Sequence, residues 1–372
     1  MEKNRILFFK ISLIIYILTT ICKSSLIVEE LMPYSFFSAI GLVGCLLSML
    51  SIAVDKKQNY ILLKLVLFIS ALYVNYMTEN NLIPAILLII AGSNIKFDLI
   101  LKWMFQPMLI GLLIPWLLSS IGVLSNIVFT KEFPFGVLSY KFAPQGLGFL
   151  YFSGFSYLAM GILMIHAYLR PKITFSYCIF SLVLSVGVFL LTVTRLQLLM
   201  NVSFVVLLYI GQHVPRNMLH NKFIENLSLL IYPLCLFVTL ATVFFPLFFS
   251  KYQEELNTYS SARYALNILA FERYPITIWG NKIETSNGVT EDYFFIDSGY
   301  VYSILGYGLA LSAYIIVIYC MMCYKSYLKY KWKLLIWIML FALANISNNF
   351  LFSIINCPFL MLTFSKKYTK NE

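Results

Sequence analysis

Three arginines stand where anion chemistry is possible. Arg263 and Arg273 bracket the run "ARYALNILAFERY", and Arg195 sits in "FLLTVTRLQLLMNVS" with no acid nearby in sequence. A guanidinium is permanently charged and presents a planar fork that fits a phosphate or a carboxylate, so each is a candidate anion ligand. The element that must carry Arg263 and Arg273 is a short amphipathic helix over 261–274. Ser260 and Ser261 are its N-caps, and Pro275 disfavours helix at Tyr274 and so stops it. On that helix the two guanidinium groups lie about 80° apart in rotation and about 15 Å apart along the axis, so they cannot fork one phosphate together. Arg195 stands at the seam of two apolar runs, a costly place for a cation unless it faces a polar cavity or snorkels to an interface.

Other chemistries find no support in the residues. The three His (His166, His213, His220) have no metal-ligand spacing, and no Gly-rich phosphate loop or dinucleotide fingerprint is present. Cys320 and Cys323 form the one close cysteine pair, in "CMMC", but they lie in an apolar run where a redox motif would want a polar, accessible place. All seven Cys are in or beside apolar runs and read as reduced thiols. Neither a metal site, a cofactor, an ATP-driven pump nor a 20- to 50-residue repeat is indicated.

The elements around these residues are membrane spans. The 372 residues are 60% hydrophobic, 17% aromatic and only 12% charged, which no ordinary soluble domain matches. Apolar runs of the length a bilayer requires fall at roughly 6–24, 33–54, 60–78, 81–95, 98–121, 146–168, 172–193, 195–212, 226–249, 298–323, 333–347 and 349–365. The expectation is an all-α polytopic integral membrane protein of about twelve transmembrane helices forming a single transmembrane domain over 1–372. The 81–95 run, with Pro84 near its start, suits a thin or re-entrant helix, and the last two runs, split by "ISNNF", could form one broken hairpin. The first span has no small-residue cleavage site and reads as a signal anchor.

Charge sets the orientation. With both termini inside, sixteen cations fall on the inner side, eight on the outer side and three within spans, which accounts for all 27 Lys and Arg. Two outer loops are long enough to have structure, 122–145 and 250–297; the second is the largest, lies between spans nine and ten, and carries the helix of Arg263. The net charge of +11 is spread over inner loops rather than gathered on one face, so topogenic signalling explains it and nucleic acid does not.

In this order and sidedness the chain resembles the Wzy-type O-antigen and capsule polymerases and, more distantly, the O-antigen ligases. The resemblance runs from about residue 95 to 355. "LGF" at Leu147 to Phe149 looks like the family's Gly-Phe element, and "TRLQLL" at Thr194 to Leu199 is similar to its S/T-R-x-x-L-L turn. "SARYALNILAFERYPITIWGNK" resembles its outer-loop helix followed by a Pro-to-Gly stretch, here Pro275 to Gly280. "IDSGYVYSILGYGL", Ile296 to Leu309, resembles its D-N/S-x-Y-x-x-x-L-x-x-x-G opening of the next span. Two pieces depart from the family: Lys141 stands where members often have an Arg before the Gly-Phe element, and "FLYFSG" replaces a Pro-Asn pair after it.

The resemblance implies a metal-independent glycosyltransferase of a bacterial cytoplasmic (inner) membrane, working on its outer leaflet. Its substrate would be an undecaprenyl-diphosphate-linked oligosaccharide, polymerised into O-antigen (lipopolysaccharide) or capsule, with membrane lipids and a chain-length regulator protein as partners and no cofactor. Carried over residue by residue, Arg195, Arg263 and Asp297 are the catalytic candidates, with the arginines stabilising the departing diphosphate. Asp297 either takes the acceptor hydroxyl's proton, orients Arg195 or Arg263, or caps span ten. Lys141, Arg273 and Tyr300 are candidates for substrate binding; Tyr259, Tyr264, Tyr274, Tyr293 and Tyr302 likewise offer flat faces to sugars, as interfacial aromatic belts do without a ligand. The alternatives are an O-antigen ligase, which differs in acceptor, and a lipid-linked oligosaccharide flippase. A flippase should show two related halves and cations lining a central cavity, and neither is visible here.

Overall fold

The computed structural model describes residues 2–55, 60–78, 81–128, 131–135, 138–215, 221–248, 263–285 and 294–365. It is a predominantly helical chain. Among the described residues eight helices are long and apolar enough to cross a membrane, the architecture of a multi-pass membrane protein. The chain divides into two compact units, one of Met1–Asn59, Leu87–Val214 and Phe364–Glu372, the other of Tyr60–Ile86 and Pro215–Thr363.

The first unit contains α1 (Glu2–Lys23), the short α2 (Ile27–Glu30), α3 (Tyr34–Ala53), α6 (Phe97–Ser120), a hairpin of β1 (Lys131–Phe135) and β2 (Leu138–Phe142), α7 (Phe152–Leu169), α8 (Phe175–Thr192) and α9 (Arg195–Gly211). Small and hydroxylated residues let α1 and α3 approach: Ser12 Oγ donates to the Gly44 carbonyl at 2.8 Å and shares a hydrogen bond with Ser48 Oγ at 2.6 Å. Gly111 of α6 faces Ile21 of α1 so closely that a Cβ would come within 2.6 Å of it. At one end of this unit Arg5 is buried, its Nη1 3.1 Å from the Asp55 carboxylate and donating to the Ser93 carbonyl at 3.0 Å. A buried cation is tolerable only with such partners. At the other end Glu30 accepts from the N–H and the hydroxyl of Ser125, and these hydrogen bonds hold its carboxyl below the ordinary value.

The second unit contains α4 (Ile61–Thr78), α10 (Lys222–Phe248), α11 (Arg263–Arg273), α12 (Gly299–Tyr302), a π-helical turn (Ser303–Tyr307), α13 (Gly308–Leu328), α14 (Trp332–Ala344) and a closing 3₁₀ turn (Pro358–Leu362). Its core is aromatic: Tyr232 of α10 stacks on Tyr319 of α13 at 4.7 Å and donates to the Ile338 carbonyl of α14 at 3.1 Å. The nine-residue α5 (Ile83–Ala91) runs from one unit into the other.

Four of the twelve expected spans fall outside the eight helices long and apolar enough to cross, and one of them is the 195–212 run, where α9 has 17 residues. α5 occupies the 81–95 run but is about 13 Å long, too short to cross a 30 Å core. α14 has only 13 residues. The 349–365 run forms no α-helix at all: Pro358 and a cluster of Asn (Asn345, Asn348, Asn349, Asn356) interrupt it, and side chains replace the missing helical hydrogen bonds. Tyr319 Oη donates to the Leu351 carbonyl at 2.8 Å and Asn345 Oδ1 accepts from Phe350 N at 3.0 Å. Non-helical backbone survives in a membrane protein where it is enclosed by protein, and Leu351, Ile354, Cys357, Phe359 and Met361 are all fully buried.

Candidate functional site

α11 forms as its apolar spacing dictates. Tyr264, Asn267, Ile268 and Ala270 are buried, and the three apolar ones pack with Val243 of α10, with Phe294 and Ile296, and with Val301, Ile304 and Leu305. Burying a side chain such as Ile268 stabilises by about 1.5–3 kcal/mol. The helix ends at Arg273, ahead of the Tyr274–Pro275 pair that disfavours its continuation. The expected caps Ser260 and Ser261 lie outside the described residues, as do Tyr259 and Tyr293.

Arg263 is the first described residue of this helix, and its Nε donates to Asp297 Oδ2 at 2.9 Å. The two side chains keep 37% and 25% of their surface exposed. A pair this open contributes about 0–1 kcal/mol to stability, so its consequence is directional: the carboxylate holds the Nε edge and aims the guanidinium. Asp297 does not cap the following span. Ser298 does, its Oγ accepting from Val301 N at 3.4 Å. One turn into α11, on the face of Arg263, Asn267 buries its Oδ1 with no hydrogen-bond donor among the described residues.

Arg273 lies at the opposite end of α11, its guanidinium 4.6 Å from the Phe294 ring centre. Tyr300 is a correction to the expected substrate contacts. It is fully buried, and its hydroxyl donates to the Ala342 carbonyl at 2.8 Å, so it packs the second unit's core instead of offering a face to a sugar. Lys141 lies on β2 in register with Glu132, and its side chain falls outside the described residues.

Arg195 belongs to the first unit and opens α9. The turn before it is strained: Val193, β-branched, adopts φ 52° and ψ 35°, left-handed values that such residues rarely take. Thr192 and Thr194 flank it, buried, with their hydroxyls 2.9 Å apart, and the Leu191 carbonyl accepts from Gln145 N at 3.0 Å. That bond ties the turn to the Gly-Phe element, which is itself unusual. Leu147 and Gly148 are both left-handed, and a Cβ on Gly148 would lie 2.2 Å from the Pro115 carbonyl oxygen. The element occupies 146–151 as non-helical chain, so α7 starts at Phe152 and the expected start near 146 comes six residues too early.

The feature sequence reading missed is the meeting of Pro275–Asn281 with a broken helix. Between α12 and α13 the chain passes through the π turn and then Gly308 at φ 81°, ψ 165°, which is not helical. The amides and carbonyls released by that break are met by the loop. Leu309 N donates to Thr277 O at 3.0 Å, Ala310 N to Ile278 O at 3.1 Å, and Asn281 N to Leu305 O at 2.8 Å. Asn281 Nδ2 donates to both Leu305 O at 2.9 Å and Pro275 O at 2.8 Å. The signal in the sequence was Gly280 and Gly308, two glycines with positive φ whose backbones touch.

Thus Arg263 and Asp297 meet, Arg273 sits at the far end of their helix, and Arg195 stands on a strained turn of the other unit. Among the described residues no cluster of three or more His, Cys, Asp or Glu could hold a metal ion. Comparison with protein-family models, with curated proteins and with solved structures gives no match.

Proposed function

We propose that this chain polymerises lipid-diphosphate-linked oligosaccharide repeat units on the outer leaflet of a bacterial cytoplasmic membrane. The observation that carries the reading is the Arg263–Asp297 pair, half-open and set where the loop helix meets the start of the next span. In such a transfer the acceptor hydroxyl attacks the anomeric carbon, and the lipid diphosphate departs with the electron pair of the broken bond. Its charge needs fixed cationic donors. The Asp297 contact uses the Nε edge of Arg263, which leaves the paired terminal nitrogens as the fork for an anion. Asp297 serves first to aim that fork and is the candidate for receiving the hydroxyl's proton. In this reading both termini are cytoplasmic and the 250–297 segment faces outward.

The test is glycan size analysis in a strain lacking the chain and complemented with Arg263→Ala or Asp297→Asn. Loss of one charge-assisted contact of this kind lowers rate by about 10²–10³-fold. The expected outcome is surface glycan reduced to single repeat units at unchanged protein abundance. Loss of all surface glycan with intermediate retained inside would indicate a flippase, and normal chain lengths would remove the pair from the site.

A further inference from the structure

We infer that Pro275–Trp279 is a membrane-inserted strap, whose exposed apolar side chains lie in the lipid at the boundary between headgroups and acyl chains. The inference rests on the multi-pass architecture and not on the glycan reading. It begins with depth. The span from Gly299 to Leu328 reads by composition as one 30-residue helix, but it breaks at Gly308. Beyond the break, α13 has 21 residues and is therefore about 31 Å long, enough alone for a hydrocarbon core of about 30 Å. Gly308 thus sits at a membrane boundary, and its two following amides are held by Thr277 and Ile278. The strap is fixed at that level by the hydrogen bonds of its own backbone.

Side-chain chemistry agrees with that depth. Pro275, Ile276, Ile278 and Trp279 are exposed, and the 274–281 stretch carries no charge. Charged, exposed residues of both signs bracket it, Glu272 and Arg273 before, Lys282 and Glu284 after. Trp279 packs its ring 4.7 Å from that of Tyr73, about 7–8 Å from the Thr78 end of α4. Trp and Tyr are the residues that collect at the bilayer boundary. A water-facing strap would expose this apolar run to water at a cost, whereas lipid continuous with the exposed face of α4, which includes Leu72, Tyr76 and Met77, removes that cost. The carbonyls of Pro275, Thr277 and Ile278 and the amides of Gly280 and Asn281 are hydrogen-bonded within the protein, and the strap's other amides stay at the headgroup boundary, where water is in reach.

The experiment uses the full-length protein in native membranes with the photoreactive residue p-benzoylphenylalanine placed at Ile276 or Ile278. Leu62, on the outward face of α4, is the positive control, and Glu284 is the aqueous control. Irradiation followed by mass spectrometry is expected to give lipid adducts at Ile276 and Ile278 in yield comparable with Leu62, and none at Glu284. Adducts to protein alone, or none while Leu62 gives them, overturns the proposal. The readout is a covalent lipid adduct, so it stands whether or not the chain polymerises glycans.

Discussion

At the scale of single residues, the three arginines differ in what holds them. Arg263 is aimed by a carboxylate at 2.9 Å, Arg273 lies over an aromatic ring, and Arg195 opens a helix two residues after the left-handed Val193. Left-handed backbone at a β-branched residue costs on the order of 1–3 kcal/mol and persists only where the surroundings impose it. At Val193 they do, through the buried threonines and the Gln145–Leu191 bond. Such strain is a reason to look for function two residues on, at Arg195. If Arg195 grips a diphosphate, Arg195→Lys should shorten glycan chains nearly as much as Arg195→Ala, because an ammonium cannot make the fork. Full-length chains with Lys at 195, measured at normal protein abundance, would reduce Arg195 to an interfacial anchor.

At the scale of elements, long apolar runs were legible, and the short 81–95 run already read as a thin or re-entrant helix. The helix of Arg263 could be read because three local signals agreed: apolar positions three and four apart, small polar residues before it, and Pro275 after it. The break at Gly308 could not, since hydropathy sees "SILGYGLAL" as one apolar run and the partners of its freed amides lie some thirty residues earlier in the chain. The 349–365 run misled for the same reason, its backbone being satisfied by Tyr319 and Asn345 from elsewhere. The Arg263–Asp297 contact, 34 residues apart, was open in the sequence as one of three roles for Asp297. Gly280 makes the strap testable. A Cβ there would lie 2.4 Å from the Gly306 carbonyl oxygen at φ 88°. Gly280→Ala should cost about 1–2 kcal/mol for left-handed backbone and about 1–3 kcal/mol more for overpacking. Gly187→Ala, in the open on α8, is the control and should be neutral or mildly stabilising. Thermal unfolding of the purified variants decides it: equal midpoints for the two would mean that the strap is not docked on the broken helix.

At the scale of the whole molecule, the sidedness of the chain is the condition for the chemistry proposed, because an outer-leaflet transfer needs Arg263 outside. Two independent lines bear on it. The sixteen-to-eight division of cations argues for termini inside, but it counts 81–95 as a crossing span, and a nine-residue α5 that does not cross reverses the side of every later loop. The geometry of α13 then separates its ends by about the thickness of a bilayer. The strap, with Glu284 just beyond it, belongs to the Gly308 end, whereas Lys329 adjoins the Leu328 end. Cysteines placed at Glu284 and Lys329 should therefore report opposite sides. Both positions are exposed, so a membrane-impermeant thiol reagent reaches either one once the membrane is opened. The native cysteines inside apolar helices contribute a background that the parent protein measures; Cys320 and Cys323 are examples. In intact cells Glu284→Cys is expected to react and Lys329→Cys to stay unlabelled until the cells are permeabilised. The reverse pattern would put Arg263 in the cytoplasm and end the outer-leaflet reading while leaving the strap's lipid contact intact. Labelling of both from outside would mean that α13 does not cross the membrane, and the strap's depth would then lose its footing as well.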